Sequence, residues 1–430
     1  MKKYIEKLLK LLAILTLRRY KPKIIGITGS VGKTSTKEAV FLVLDRNYRV
    51  RKNISNYNNE IGVPLTILGE KTAGKSIIRW LIIFIKSIFK LIRTDYPEIL
   101  VLEMGIDSPG DMDYLLSFVK PDIGIISAIS EIPVHLENFN NVKELAKEKF
   151  KILSQLPQDG YAVVNFDNIV IKKYLPAIKQ NIIKFGLKAN ADIMASNIIL
   201  DSKELMLESG VSGLSFKLNY NKKSSLPVRL PYILAEHQIY AVLAAVACGL
   251  IFEINLIEIA EVIKDLKPPR GRLNILKGIK GTTIIDDTYN ASPDSTKAAL
   301  KLMTKLSTGR RKISILGDMK ELGVKTEEAH IKIGKEVAKS ADILITVGKD
   351  ALFIAQAAHE SGIEKNKIYS FSKSEEAGLF IQNSILKPND LILVKGSQSV
   401  RMEKIVKEIM AEPMKASELI VRQDKKWLKI

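Results

Sequence analysis

Residues 23–36 read KIIGITGSVGKTST, and this stretch restricts the fold more than any other. Its first six residues are mostly β-branched and predict a buried strand. Gly29, Ser30, Val31 and Gly32 predict a tight loop, and a helical pattern opens at Lys33. A strand feeding a glycine loop and then a helix is a unit of a parallel α/β sheet. Glycines let backbone amides turn inward on phosphate oxygens, and the helix N-terminus adds positive potential. Gly29, Ser30, Gly32, Lys33, Thr34 and Ser35 are therefore expected to hold a nucleotide. Lys33 would reach the β- and γ-phosphates, and the Thr34 hydroxyl would ligate Mg2+. The strict form of the loop has glycine where this chain has Ile27. The alternative is a strand-to-helix turn that binds nothing.

The rest of the chain agrees with an α/β protein. Its 430 residues correspond to about two to three domains. A 46% hydrophobic fraction excludes global disorder. Lys and Arg number 66 against 47 Asp and Glu, a net charge of +19 that calls for an anionic partner. The single cysteine, Cys248, excludes an intramolecular disulfide, and four histidines leave no basis for a Cys/His zinc site.

Two segments carry much of the basic excess. Residues 1–23 read MKKYIEKLLKLLAILTLRRYKPK, whose longest uncharged run, 11–17, is far below the ~20 residues that span a bilayer. Arg18, Arg19 and Tyr20 stand where a signal peptide would be cleaved. Residues 76–93 read SIIRWLIIFIKSIFKLIR, with Arg79, Lys86, Lys90 and Arg93 spaced onto one helical face. Trp80, Leu81, Ile83, Phe84, Ile88 and Leu91 cover much of the remainder. Both segments are expected to be amphipathic helices. Either they pack on the protein with basic faces in solvent, or they lie on an anionic membrane surface. No aromatic–basic interleaving marks a nucleic-acid groove, so nucleic acid is not an expected partner.

Further buried strands are expected at 98–102, 122–127 and 161–165, with a helix over 142–153. Residues 191–229 alternate in the manner of antiparallel edge strands, and 236–250 form an Ala-rich helix. Lys267, Pro268, Pro269, Arg270, Gly271 and Arg272 mark a boundary, after which strands and helices alternate again to the C-terminus. The expected organisation is a basic helix at 1–22, a nucleotide-binding domain with a mainly parallel sheet at 23–267, interrupted by the 76–93 insertion, and a Rossmann-like α/β domain at 268–430.

Five motifs in order give the chain a family resemblance: residues 26–36, then NYNNEIGVP at 56–64, EMG at 103–105, DDTYNASP at 286–293 and LGDMKELG at 316–323, with LVKGS at 393–397 closing the series. Together they resemble the Mur ligases of peptidoglycan synthesis. The asparagine-rich motif is most similar to members that add D-Ala-D-Ala to a UDP-muramoyl tripeptide. The resemblance implies a cytoplasmic, monomeric, ATP-dependent amide ligase. Its substrates would be a UDP-muramoyl peptide and D-Ala-D-Ala, joined through an acyl phosphate. It implies two Mg2+ ions held by Thr34, Glu103, His135 and a carbamylated Lys149, with Lys147 the competing lysine. It also implies Arg272 at the γ-phosphate, with Arg270 as alternative. Gln238, in the position of an adenine-binding Asn, and Asp287 with Asn290 at the ribose complete the cofactor set. Asn56, Asn58, Asn59, Lys320 and Ser397 are implied substrate contacts. The stretch 287–294 reads equally as a turn capping a helix, through Ser292 or Asp294.

The chain departs from the family in two places. The usual N-terminal UDP-binding domain is not expected before residue 23, and 76–93 looks inserted. These leave a related ligase acting on another carboxylate, folylpolyglutamate-like or a lipid-linked muropeptide, as the rival reading. A membrane-bound substrate would place the enzyme at the inner face of the membrane. A nucleotide-dependent switch without ligation is the rival from another class; Glu103, His135 and Lys149 speak against it, since a switch needs no second metal site.

Overall fold

A computed structural model describes residues 2–54, 57–133, 136–188, 190–201, 213–221, 224–424 and 427. Two sequence-derived candidates, Asn56 and His135, lie outside the described residues.

The first sheet contains β1 (Lys23–Thr28), β2 (Val50–Lys52), β3 (Ile99–Glu103), β4 (Ile123–Ile126), β5 (Tyr161–Asn165), β6 (Asn181–Gly186), β7 (Ile193–Leu200), β8 (Leu214–Tyr220) and β9 (Ser224–Leu230). Their order is β2-β3-β1-β4-β5-β6-β7-β8-β9. Pairing is parallel from β2 to β7, and β8 and β9 return antiparallel. Both faces of the parallel part are covered, which is why its strands read as unbroken apolar runs. Alternate residues divide between the faces. Ile25, Ile27, Ile99 and Val101 enter one core, while Ile24, Leu100 and Leu102 enter the other.

Helices α1 (Lys2–Tyr20), α2 (Lys33–Leu44), α3 (Gly62–Leu68), α4 (Ile77–Lys90), α5 (Asp111–Leu116), α6 (Val142–Ser154), α7 (Ile169–Tyr174) and α8 (Ile239–Ile251) surround this sheet. α2 and α8 cover the first face through Val40, Val43, Leu44, Val242 and Val246. α5 and α6 cover the other through Met112, Leu145 and Ile152. The Ala-rich helix starts later than its sequence suggests. The Gln238 side chain turns back to accept from Ala235 N, so 236–238 forms a tight single turn first.

The second sheet contains β10 (Asn274–Lys277), β11 (Thr283–Asp287), β12 (Lys312–Gly317), β13 (Ile343–Val347), β14 (Ile368–Phe371) and β15 (Leu391–Lys395), in the order β10-β11-β15-β12-β13-β14. The edge strand β10 runs antiparallel to its neighbour, and the other pairings are parallel. Separate apolar clusters fill the two faces of this sheet.

Both amphipathic segments are helical, but the solvent face of α4 is more apolar than basic. Trp80, Ile83 and Ser87 turn inward, and Ile78, Leu81, Ile82, Ile85, Ile88 and Phe89 stand exposed. The cations occupy one border of that apolar face. The expected basic face does lie in solvent, with Arg79, Lys86 and Arg93 exposed, but a wider apolar face is exposed beside it, because α1 and α3 bury one narrow sector of a helix that is apolar on most of its circumference.

Candidate active site

β1 lies between β3 and β4, and its C-terminal loop opens where the connections to the rest of the sheet diverge, a position at which α/β sheets bind ligands. The loop is pinned from behind. Ser30 N donates to Ala128 O at 2.7 Å, and Ser127 Oγ donates to Val31 O at 2.6 Å. Gly29 has φ 151°, and a Cβ there would stand 2.1 Å from Ser127 Oγ. Gly32, with φ 85°, caps α2. Lys33 Nζ donates to Gly29 O at 2.9 Å and so folds back over the loop. Burial lowers the pKa of this ammonium; Glu103 opposes the shift and Arg272 adds to it. The hydroxyls of Thr28 and Ser30 are buried with no hydrogen-bond partner among the described residues. A cradle with unsatisfied polar atoms and a folded-back lysine fits a phosphate group. Ser35 follows Thr34 on the first turn of α2, half-buried.

Glu103 ends β3 and is buried. Thr34 Oγ1 donates to its Oε2 at 3.1 Å, and Asn58 Nδ2 donates to its Oε1 at 3.3 Å. Its backbone is locked by Asn53, whose side-chain amide accepts from the Glu103 N–H and donates to the Glu103 carbonyl. Lys37 Nζ lies 3.5 Å from Glu103 Oε2 with its side chain 1% exposed. Neither Asn53 nor Lys37 was read from the sequence as a site residue. The available signal for Lys37 was its spacing, one helical turn beyond Lys33 on α2. Asn59 does not join the group, since its Oδ1 accepts from Gly62 N at 3.0 Å and fixes the start of α3. The converging hydroxyl and carboxylate of Thr34 and Glu103 are hard oxygen donors that fit Mg2+. Among the described residues no three His, Cys, Asp or Glu side chains form a metal cluster.

α6 starts at Asn141, whose side chain accepts from Glu144 N at 3.0 Å, and it buries Leu145, Ile152 and Leu153. That register fixes the neighbouring polar positions. Lys149 is 2% exposed, whereas Lys147 is exposed to solvent. Burial drives the Lys149 pKa well below the usual lysine value; the Lys33 charge adds to the shift, and Asp107 and Glu148 oppose it. Among the described residues its ammonium makes no hydrogen bond or ion pair. Glu148 instead serves the backbone. Its Oε1 accepts from Gly110 N at 3.1 Å and Met112 N at 2.9 Å, holding the first turn of α5.

The second sheet faces this group with cations of its own. Arg272 lies in the loop before β10, its guanidinium 4.2 Å from the Tyr289 ring centroid, and its Nε is buried with no partner among the described residues. Arg270 is exposed and donates to Ser417 O at 2.7 Å, away from the Lys33 loop. Gln238 is buried with both ends of its amide engaged, its Nε2 donating to Arg272 O at 3.3 Å. Asp287, at the end of β11, pairs with Lys395, at the end of β15, at 2.5 Å with both side chains buried. Lys395 also donates to Asn290 O at 3.0 Å, while Asn290 Oδ1 accepts from Ala291 N. Lys395 is a third residue not assigned a role from the sequence. Ser292 caps the helix Pro293–Leu306, so the turn reading of this stretch holds in full. Lys320 N donates to Ser397 Oγ at 2.9 Å, and Lys320 Nζ lies 2.8 Å from both Asp318 and Asp350. Lys320 and Asp318 line a cavity of about 480 Å³ with Gly348, Lys349 and Arg401. Lys320 and Ser397 are thus brought together on the second sheet.

A phosphate loop beside converging hard oxygen donors, facing an arginine from the segment that enters a second α/β unit, fits a nucleotide-dependent enzyme. Similarity to known proteins narrows the class. The Mur ligase middle domain matches residues 27–78 and 82–249, and the Mur ligase glutamate ligase domain matches residues 271–398. The UDP-N-acetylmuramoyl-tripeptide--D-alanyl-D-alanine ligase of Bacillus subtilis (strain 168) is 30% identical over 393 residues, which span 91% of this chain and 77% of that protein. The ligase of the same name from Escherichia coli (strain K12) is 29% identical, spanning 90% and 76%. Among solved structures, MurF from Acinetobacter baumannii superposes with TM-score 0.74 at 26% identity, covering 95% of this chain and 80% of that one. MurF ligase from Thermotoga maritima in complex with ADP gives 0.73 at 25%, covering 94% and 83%. The chain belongs to the Mur ligase family.

Proposed function

We propose that this ligase joins D-Ala-D-Ala to a UDP-muramoyl tripeptide with hydrolysis of ATP to ADP and phosphate, in peptidoglycan precursor synthesis. The carrying observation is the convergence of Lys33, Thr34 and Glu103 from one sheet with Arg272 from the other. The Bacillus subtilis and Escherichia coli relatives, which bear that substrate pair in their names, support it.

A carboxylate is a poor electrophile, so it must first acquire a leaving group. The tripeptide carboxylate attacks the γ-phosphorus of ATP and ADP departs, leaving an acyl phosphate. The deprotonated dipeptide amine then attacks the acyl carbon, and phosphate leaves with its bonding electron pair. Both partners of the first step are anions, so the site must offset their repulsion. Lys33 supplies charge to the phosphates from the loop, and Arg272 supplies a planar fork from the opposite side. Thr34 and Glu103 would hold magnesium, which when bound neutralises charge on the phosphate oxygens. Lys149 is suited to carbamylation: burial favours its neutral amine, and a neutral amine adds to CO2 with loss of one proton. The product is a carboxylate, which converts a metal-repelling position into a ligand. Asp287 and Asn290 lie beside Lys395, and we place the ribose there. Lys320 and Ser397 are assigned to the incoming dipeptide.

Phosphate release measured with UDP-muramoyl tripeptide, in the presence and absence of D-Ala-D-Ala, tests the reading. Release that requires both substrates supports it. Hydrolysis indifferent to the dipeptide would identify a switch, and release with other carboxylates alone would redirect the substrate.

A further inference from the structure

α1 and α4 pack side by side. Leu9 and Leu12 of α1 join Trp80 and Ile83 of α4 in one small core with Leu65 and Leu68 of α3. The helices end together, where the Tyr20 hydroxyl donates to the carbonyls of Lys90 and Arg93. Each leaves an apolar strip outside this core. On α4 the strip contains Ile78, Leu81, Ile82, Ile85, Ile88 and Phe89, and Ile92 beyond its end is 76% exposed. On α1 it contains Tyr4, Leu8, Leu11 and Leu15. At ~100° per residue, the α4 strip lies opposite the buried Trp80, Ile83 and Ser87. Arg79, Lys86, Lys90 and Arg93 line one border, and Lys3, Lys7 and Arg18 line the strip on α1 in the same way.

The phosphate site does not use this surface. A soluble protein rarely leaves so many large apolar side chains adjacent in water. The charge beside them has one sign. Residues 71–94 hold six Lys and Arg and no Asp or Glu, and residues 2–23 hold eight Lys and Arg with Glu6 the one acid. A second copy of this chain would bring those same cations against themselves, whereas an anionic lipid surface complements both features. No helix among the described residues is long and apolar enough to cross a membrane. The 14 residues of α4 span about 21 Å, against ~30 Å of hydrocarbon.

We propose that the outer face of α1 and α4 docks on a bilayer rich in anionic phospholipid, the apolar strips entering the headgroup boundary and the bordering cations meeting lipid phosphates. The enzyme would then work as a peripheral membrane protein. α3, beneath this face, begins at the segment that carries Asn58 to Glu103, so the docked surface flanks the metal corner.

Co-sedimentation of the full chain with phosphatidylglycerol–phosphatidylcholine vesicles, against phosphatidylcholine alone, tests the proposal. Wild type should partition at least about tenfold more strongly to the anionic vesicles, with the preference falling as salt rises. Ile78→Asp with Ile85→Asp should abolish binding to both. Arg79→Glu with Lys86→Glu should remove the anionic preference. Thermal unfolding near the wild-type midpoint checks that each variant is folded. As a second readout, a polarity-sensitive dye on Ile85→Cys, in a chain whose Cys248 is buried, should shift to the blue on anionic vesicles. Binding absent in wild type, or unchanged in both double variants, overturns the proposal. So does a concentration-dependent dimer that the Ile78→Asp, Ile85→Asp variant abolishes while vesicles capture nothing.

Discussion

Lys149 and Asp286 show how burial alone sets the chemistry of a charged group. Lys149 makes no ion pair among the described residues, and its largest influence besides burial is another cation, Lys33. Burial and the neighbouring cation both work against an ammonium there, so the position favours the neutral amine. Lys149→Ala should lower ligation about 100- to 1,000-fold, as losing one charge-stabilising group does in other sites. Formate or acetate should restore part of the rate. Full activity in the variant would remove Lys149 from the site. Asp286 is buried outright. Its Oδ1 accepts from Thr288 N and Oγ1, but its Oδ2 has no partner among the described residues. Burial pushes its pKa up to about 6 from 3.8. The folded chain therefore holds this proton more tightly than the unfolded chain, and stability falls as pH rises from about 4 to about 6, then stays level. Asp286→Asn should be more stable than wild type at pH 8 by roughly 3 kcal/mol, the difference shrinking toward pH 4. Urea titrations across that range measure it, and a pH-independent difference would contradict the assignment.

At the scale of elements, α6 carries two adjacent charged residues with separate roles. Glu148 holds the start of α5 through two backbone amides, while Lys149 faces the Lys33 loop. Glu148→Ala leaves those amides unpaired and should cost about 1–3 kcal/mol in a thermal or urea melt, with Glu148→Gln recovering most of it. Equal loss in both variants would mean that the carboxylate charge matters more than its hydrogen bonds. The long strands of both sheets were legible because strands covered on two faces are written as apolar runs; β1 and β5 begin and end where their runs do. β2 was not legible, because three residues with two cations carry no periodic signal, and its place comes from pairing with β3. The phosphate loop was legible as glycine spacing. The tie between Asn53 and the Glu103 backbone was not, since a contact across 50 residues leaves no local pattern. Likewise the cation spacing of α4 was visible, but which sector faces water depends on how little of the helix α1 and α3 cover.

The whole molecule places like charges opposite each other. Lys33 belongs to the first sheet and Arg272 to the segment entering the second, and the Arg272 charge makes the Lys33 ammonium harder to keep. Lys395 contributes a further buried cation at the end of β15, partly answered by Asp287. The two bodies already touch at the Leu136 N–H, which donates to Glu321 O at 3.1 Å. Residues 264–273 connect the two bodies, and Lys33 and Arg272 set like charges across the space between them. A bound triphosphate would replace that repulsion by attraction to both walls, which is the condition for closure. Adding a non-hydrolysable ATP analogue and Mg2+ should decrease the radius of gyration in small-angle scattering and raise the melting temperature together. Lys33→Ala should lose both effects, because the nucleotide no longer binds. Arg272→Ala should keep most of the thermal stabilisation, since the loop is intact, but lose the compaction, since the second wall has lost its hold. That separation is the decisive result: if Arg272→Ala compacts as wild type does, the arginine does not draw the two bodies together, and the closing force must come from elsewhere in the cleft.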